Sequence, residues 1–70
     1  MRFDDYKVLL YRNQPDGWVA EIPAISGCHA LMDTPELAIA ELRLVFSMFD
    51  EAARESGKQL PQDTTEILSA

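Results

Sequence analysis

Residues 21–42 read EIPAISGCHALMDTPELAIAEL, and this stretch carries most of the chain's structural punctuation. An apolar, strand-like run meets Pro23, which ends a strand or confines it to a sheet edge. Ser26-Gly27 then turns the chain, and Cys28-His-Ala-Leu-Met32 has the pattern of a short third strand. Asp33-Thr34-Pro35-Glu36 opens a helix. Thr34 suits the N-cap, where its hydroxyl accepts from an otherwise unpaired backbone N–H. Pro35 suits the first helical position, where a missing N–H costs nothing. Asp33 and Glu36 sit well against the positive end of the helix dipole. The apolar periodicity continues to about Ser56 and stops at Gly57, a residue type common just past a helix end. The predicted helix is thus ~22 residues and ~33 Å long.

Upstream of this corner the pattern changes to that of strands. Tyr6 to Arg12 is rich in strand formers, with Tyr6, Val8 and Leu10 on one face and Lys7, Leu9 and Tyr11 on the other. Asn13-Gln-Pro-Asp-Gly17 is a turn, in which Gly17 can supply a positive φ. Trp18 to Ile22 follows as a second strand, so residues 6–22 read as a hairpin. Both strands carry apolar residues on both faces. The expectation is a sheet covered on one side by the helix and partly, on the other, by another subunit.

The helix is broadly apolar. At 100° per residue, Ala38, Leu42, Val45, Phe49 and Ala52 form one stripe, with Ile39, Phe46 and Ala53 on its shoulder. Leu37, Leu44 and Met48 form a second stripe beside it. A three-stranded sheet is too small to cover both, so the second stripe is expected to be an oligomer interface. The competing arrangement has the C-terminal tail folding back over it through Leu60, Ile67 and Leu68. Residues 58–64 read as a polar linker, and Thr65 to Leu68 either adds a short strand or stays loose. The expected fold is therefore α+β: an antiparallel sheet of three or four strands with one long helix on one face, in a single domain spanning residues 1–70. Its core falls at about residues 6–61, and residues 62–70 form a tail.

Size reinforces the expectation of self-association. A chain of 70 residues buries only roughly 60% of its unfolded surface and is marginally stable alone. One cysteine closes no internal disulfide, and one cysteine with one histidine falls short of a four-ligand structural zinc site. Oligomerisation is the remaining means of support, so a dimer or larger assembly is expected. The N-terminal residues lack the basic-then-apolar layout of a secretory signal. No apolar run approaches the ~20 residues that span a bilayer. The expected location is the cytoplasm, with no membrane association.

Net charge is −6, and eight of the twelve acidic residues lie from Asp33 onward, against Arg43, Arg54 and Lys58. An acidic chain without a basic patch is repelled by phosphate backbones, which argues against direct nucleic-acid binding. A basic protein partner is compatible with it, because complementary charge steers encounter.

Candidate chemistry is sparse. Cys28 and His29 are neighbours, but neighbours on a strand point to opposite faces and cannot form a nucleophile–base pair in one site. Cys28 is expected to pack inward as a small hydrophobe, with His29 on the surface or at an interface. Asp4, Asp5, Glu21 and Asp33 show no spacing that fixes them as metal ligands. Gly17 and Gly27 belong to turns, not to a phosphate-binding loop. Trp18 is the residue type found at binding hot spots, but core packing is the simpler role. No cofactor, metal or catalytic set is expected.

Taken in order, Tyr6-Lys-Val-Leu-Leu-Tyr11, Asp16-Gly-Trp-Val-Ala-Glu-Ile-Pro-Ala-Ile-Ser-Gly-Cys28, Asp33-Thr34 opening a long helix, and Gly57-Lys-Gln-Leu-Pro61 resemble the HicB antitoxin domain. The resemblance covers roughly residues 6–61. Met32 stands where the family has Gly, Ser26 where it has Pro, and Leu37 where it has the Glu of a capping box. The resemblance implies a degraded RNase-H-like fold without catalytic carboxylates. It also implies an antitoxin that sequesters a small basic RNA-cleaving toxin of the HicA type by covering its active surface. Glu21, His29 and Asp33 are the candidate partner-binding residues, and Gly17, Gly27, Cys28, Thr34 and Pro35 form the structural corner and helix cap. The DNA-binding segment of longer family members has no counterpart here, so DNA binding is not carried over. The alternative is a free-standing homo-oligomeric adaptor or regulatory module. A small hydrolase using Cys28 or the acids ranks third.

Overall fold

In a computed structural model, which describes residues 1–68, the element order is a 3₁₀ turn at Phe3–Asp5, β1 (Leu9–Arg12), β2 (Trp18–Glu21), β3 (His29–Met32) and α1 (Pro35–Glu55). The three strands form one antiparallel sheet in the order β1-β2-β3, and α1 lies across one face, mainly over β2 and β3. This is the expected α+β arrangement, with three strands. β2 is the central strand and ends at Glu21, so Pro23 marks its end and does not place it on an edge.

Each boundary has a local cause. The β1–β2 turn is closed by the Asn13 N–H donating to the Gly17 carbonyl at 2.9 Å, with the Gln14–Pro15 peptide cis and Gly17 at φ +89°. A Cβ at Gly17 would stand 3.0 Å from Leu31 Cδ1 and 3.3 Å from the Met32 carbonyl, so both conformation and space require glycine there. Between β2 and β3 the chain makes two successive turns. Ile25 N–H donates to the Ile22 carbonyl at 3.1 Å, and Cys28 N–H donates to the Ile25 carbonyl at 3.1 Å. Gly27, at φ +83°, holds the third position of the second turn, where a left-handed residue is needed. Cys28 lies just before β3, so that strand begins one residue later than its sequence pattern suggests.

α1 starts and stops as its sequence dictates. Thr34 is the N-cap, its hydroxyl accepting from the Leu37 N–H at 3.2 Å, and Pro35 is the first helical residue. At the other end Gly57 (φ +70°) follows the C-cap Ser56. Gly57 N–H donates to the Arg54 carbonyl at 3.2 Å and Lys58 N–H to the Ala53 carbonyl at 2.8 Å. These two bonds form a Schellman closure.

The core between helix and sheet contains Ala20, Ile22, Ile25, Cys28, Ala30, Ala38, Leu42 and Phe46, sealed by Tyr6. The buried helix stripe is Ala38, Leu42 and Phe46. Ala52, which the helical wheel placed in that stripe, is exposed, and Phe46 takes the place its shoulder position did not promise. The reason lies at the N-terminus. Phe3 and Tyr6 both pack on Phe46 with ring centroids 5.7 Å apart, which extends the covered face in that direction. Arg43 lies over the outer side of the Phe3 ring at 4.4 Å.

The first strand begins at Leu9, not Tyr6, because residues 6 and 7 bond elsewhere. The Tyr6 hydroxyl donates to the Pro61 carbonyl at 2.6 Å, and the Lys7 N–H donates to Asp63 Oδ2 at 2.6 Å. With Leu60 packed against the core, residues 60–65 form a strap tied to the start of β1 and are not the free linker their polarity suggested. Thr65 to Leu68 forms no strand. Ile67 and Leu68 are exposed and leave the second helix stripe uncovered, so the described part of the tail does not fold back over α1. Of the tail expected at 62–70, residues 69 and 70 lie outside the described residues. Among the described residues no helix is long and apolar enough to cross a membrane.

Candidate protein-interaction face

The face of the sheet turned away from α1 is built by strand periodicity alone. In antiparallel pairs, residues directly opposite share a face, and alternate residues along each strand return to it. The register pairs Leu10 with Ala20 and Ala20 with Ala30, and the burial of both alanines identifies that row as the helix side. The outward face therefore consists of two cross-strand rows, Leu9–Glu21–His29 and Tyr11–Val19–Leu31. No other described element covers them. Tyr11 is 46% exposed and Leu31 54% exposed, at opposite edges of the second row. The result is an apolar row across all three strands, centred on Val19, with the Glu21 carboxylate on the central strand of the neighbouring row.

Glu21 sets the local electrostatics. It lies diagonally across from Tyr11, and as hydrogen-bond acceptor, with burial and its negative charge adding to the effect, it raises the tyrosine pKa above its ordinary value. The phenol thus stays neutral at physiological pH, its one O–H engaged by Glu21 and its oxygen left as an acceptor for a partner's donor.

The sequence-selected residues are only partly united. Glu21 and His29 are direct cross-strand neighbours on the outward face. Asp33 is exposed but follows Met32 at the other end of β3, beside the start of α1, so it is not part of the Glu21–His29 cluster. Leu9, Tyr11, Val19 and Leu31 were not singled out as site residues. Their signal was the presence of apolar side chains on both faces of each strand, which makes one face surplus once the helix has chosen the other. Cys28 is buried while His29 is exposed, and burial raises the Cys28 thiol pKa above its ordinary value, away from a reactive thiolate. Among the described residues no three of His, Cys, Asp and Glu are grouped to hold a metal ion.

Two other features mark the surface. On α1, Leu37, Leu44 and Met48 form an exposed stripe, at 48%, 62% and 68%. At the helix C-terminus, Met1, Asp50, Ala53, Arg54, Lys58, Gln59 and Leu60 line a shallow cleft of about 260 Å³. Its Arg54 already pairs with Asp50 at 2.6 Å, and none of the sequence-selected residues lines it.

The chain is 36% identical over 63 residues to the UPF0150 protein ssl0259 of Synechocystis sp., a match covering 90% of this chain and 86% of that protein. No family model matches the chain, and no solved structure matches it significantly.

Proposed function

The chain belongs to the UPF0150 family, and from that premise and the uncovered face of its sheet we propose that it is an antitoxin-like protein-binding domain. In this reading it sequesters a small basic RNA-cleaving protein of the HicA type by lying over that protein's active surface. The observation that carries the reading is the outward band of Leu9, Tyr11, Val19 and Leu31 with the Glu21 carboxylate beside it on the central strand. Apolar contact area supplies affinity, and a carboxylate beside it selects a cationic partner. The net charge of −6 adds long-range attraction for a basic protein. The relation of UPF0150 proteins to HicB-like antitoxins supports the same role. No step in it requires this chain to catalyse anything, and its setting would be the cytoplasm, where such toxins meet their RNA.

The test is co-expression with a small basic protein encoded beside this chain. Wild type is expected to co-purify with it and relieve its toxicity. Tyr11→Asp with Leu31→Asp is expected to abolish both while the fold, judged by circular dichroism, persists. A toxin that stays free and lethal beside the wild-type chain overturns the proposal.

A second reading is favoured by a separate observation, the exposed stripe of Leu37, Leu44 and Met48. It makes the chain a homo-oligomeric adaptor or regulatory module that associates through α1 and has no toxin partner.

A further inference from the structure

The ladder bonds of β1 show which of its backbone groups are committed. Asn13 N–H donates to Gly17, and by strand alternation Tyr11 and Leu9 also turn their N–H and C=O groups toward β2. Leu10 and Arg12 therefore direct theirs to the opposite side, where among the described residues the sheet has no further strand. Such an edge is ordinarily blunted by proline, a bulge, inward charge or a covering element. β1 has neither proline nor bulge, and its blunting is limited to its length of four residues and the charge of Arg12. Its side chains Leu10 and Tyr11 are exposed on opposite faces of the sheet, and the Arg12 guanidinium lies back over Trp18 at 5.9 Å. The hydrogen bonds of the strap fall ahead of the strand, at Tyr6 and Lys7.

Charge identifies the occupant. Two copies of a chain with net charge −6 repel each other over most of their surfaces. The segment from Tyr6 to Asn13 is the exception, because it carries Lys7 and Arg12 and no acid. The other sheet edge ends in Asp33, and the exposed helix stripe runs among Glu41, Glu51 and Glu55, so a twofold contact at either place would bring carboxylates together.

We propose that β1 is a self-pairing edge, and that a second copy of this chain adds its own β1 antiparallel to it, with the twofold axis at Leu10. Residue parity permits this register. Leu10 meets Leu10 of the partner subunit, Leu9 meets the partner's Tyr11, and Val8 meets the partner's Arg12. The two arginines fall at opposite ends of the ladder. The outward-pointing groups of Leu10 and Arg12 gain partners, and three-stranded sheets join into a six-stranded one. The outward bands of the two copies then merge, so each dimer offers one enlarged docking surface. The inference stands on the edge itself and not on the identity of any toxin.

Amide hydrogen exchange on the full wild-type chain, followed by NMR across a dilution series with sedimentation velocity in parallel, tests it. The Leu10 and Arg12 amides are expected to exchange slowly in concentrated protein and to become fast on dilution, in step with the loss of assembled mass. The outward amides of β3, at His29 and Leu31, are expected to stay fast throughout. Leu10→Lys is expected to at least halve the assembled mass with the helical circular dichroism retained. A wild type that remains a single chain when concentrated overturns the proposal, as does an assembled wild type with fast Leu10 and Arg12 amides. A folded Leu10→Lys variant of unchanged mass does the same. If Leu10→Lys fails to fold, exchange in the wild type decides.

Discussion

Asp63 stands in a polar stretch of the sequence with nothing to distinguish it, and in the fold it is the clasp of the C-terminal strap. Its side chain is only 5% exposed. It accepts from the Lys7 N–H at 2.6 Å and the Thr65 N–H at 2.9 Å, with the Lys7 ammonium 3.9 Å away. The bond from Lys7, then those from Thr65, hold its pKa below the ordinary carboxylate value. A depressed folded-state pKa means the unfolded chain binds the proton more readily. The stabilisation is therefore present above the unfolded-state pKa, about 3.9 for aspartate, and is lost as pH falls through the lower folded value. Asp63→Asn is expected to lower the melting temperature at neutral pH and to flatten the acid side of the stability profile, measured by thermal melts from neutral pH down to strong acid. An unchanged profile would remove Asp63 from this role. The sequence could not reveal the clasp, because its partner lies 56 positions away on a backbone N–H, a group every non-proline residue possesses. Cys28 and His29 were more legible, since strand parity alone separates a buried thiol from an exposed imidazole.

Among the elements, α1 is the one most fully written into local sequence. Thr34, Pro35 and Gly57 mark its ends through rules that involve only nearby backbone groups. Thr34→Ala is expected to cost about 1 kcal/mol through loss of the hydroxyl acceptor for the Leu37 N–H. Equilibrium denaturation checks it, and a midpoint equal to wild type would mean that the cap contributes nothing. The orientation of the helix was less legible. A helical wheel gives two adjacent apolar stripes but does not say where the covered arc ends. Phe3 and Tyr6, which decide that Phe46 is inside and leave Ala52 outside, come from a 3₁₀ turn and an extended lead-in that carry no periodic signal. β1 starts later than its sequence pattern for a related reason. Tyr6 and Lys7 have strand-forming side chains, but their bonds go to the strap and not to β2.

At the scale of the whole molecule, one helix and three short strands cannot bury all the apolar surface the chain carries. The outward sheet band, the β1 edge and the α1 stripe remain outside. Leu44→Asp with Met48→Asp separates the two modes of self-association: contact through the stripe predicts a reduced assembled mass in sedimentation with the helical circular dichroism retained, and pairing through β1 predicts an unchanged mass. An unchanged mass would confine self-association to other surfaces. The sequence by itself determined the α+β class, the order of strands and helix, the helix caps and the glycine turns. Each of these follows from hydrophobic period or from bonds between residues a few positions apart. Only the tertiary structure decided which sheet face the helix covers, where its buried arc ends, how the strap closes and which edge lies open. Those outcomes depend on contacts between distant segments, and a backbone N–H or an apolar side chain looks the same in the sequence whether it finds such a contact or not.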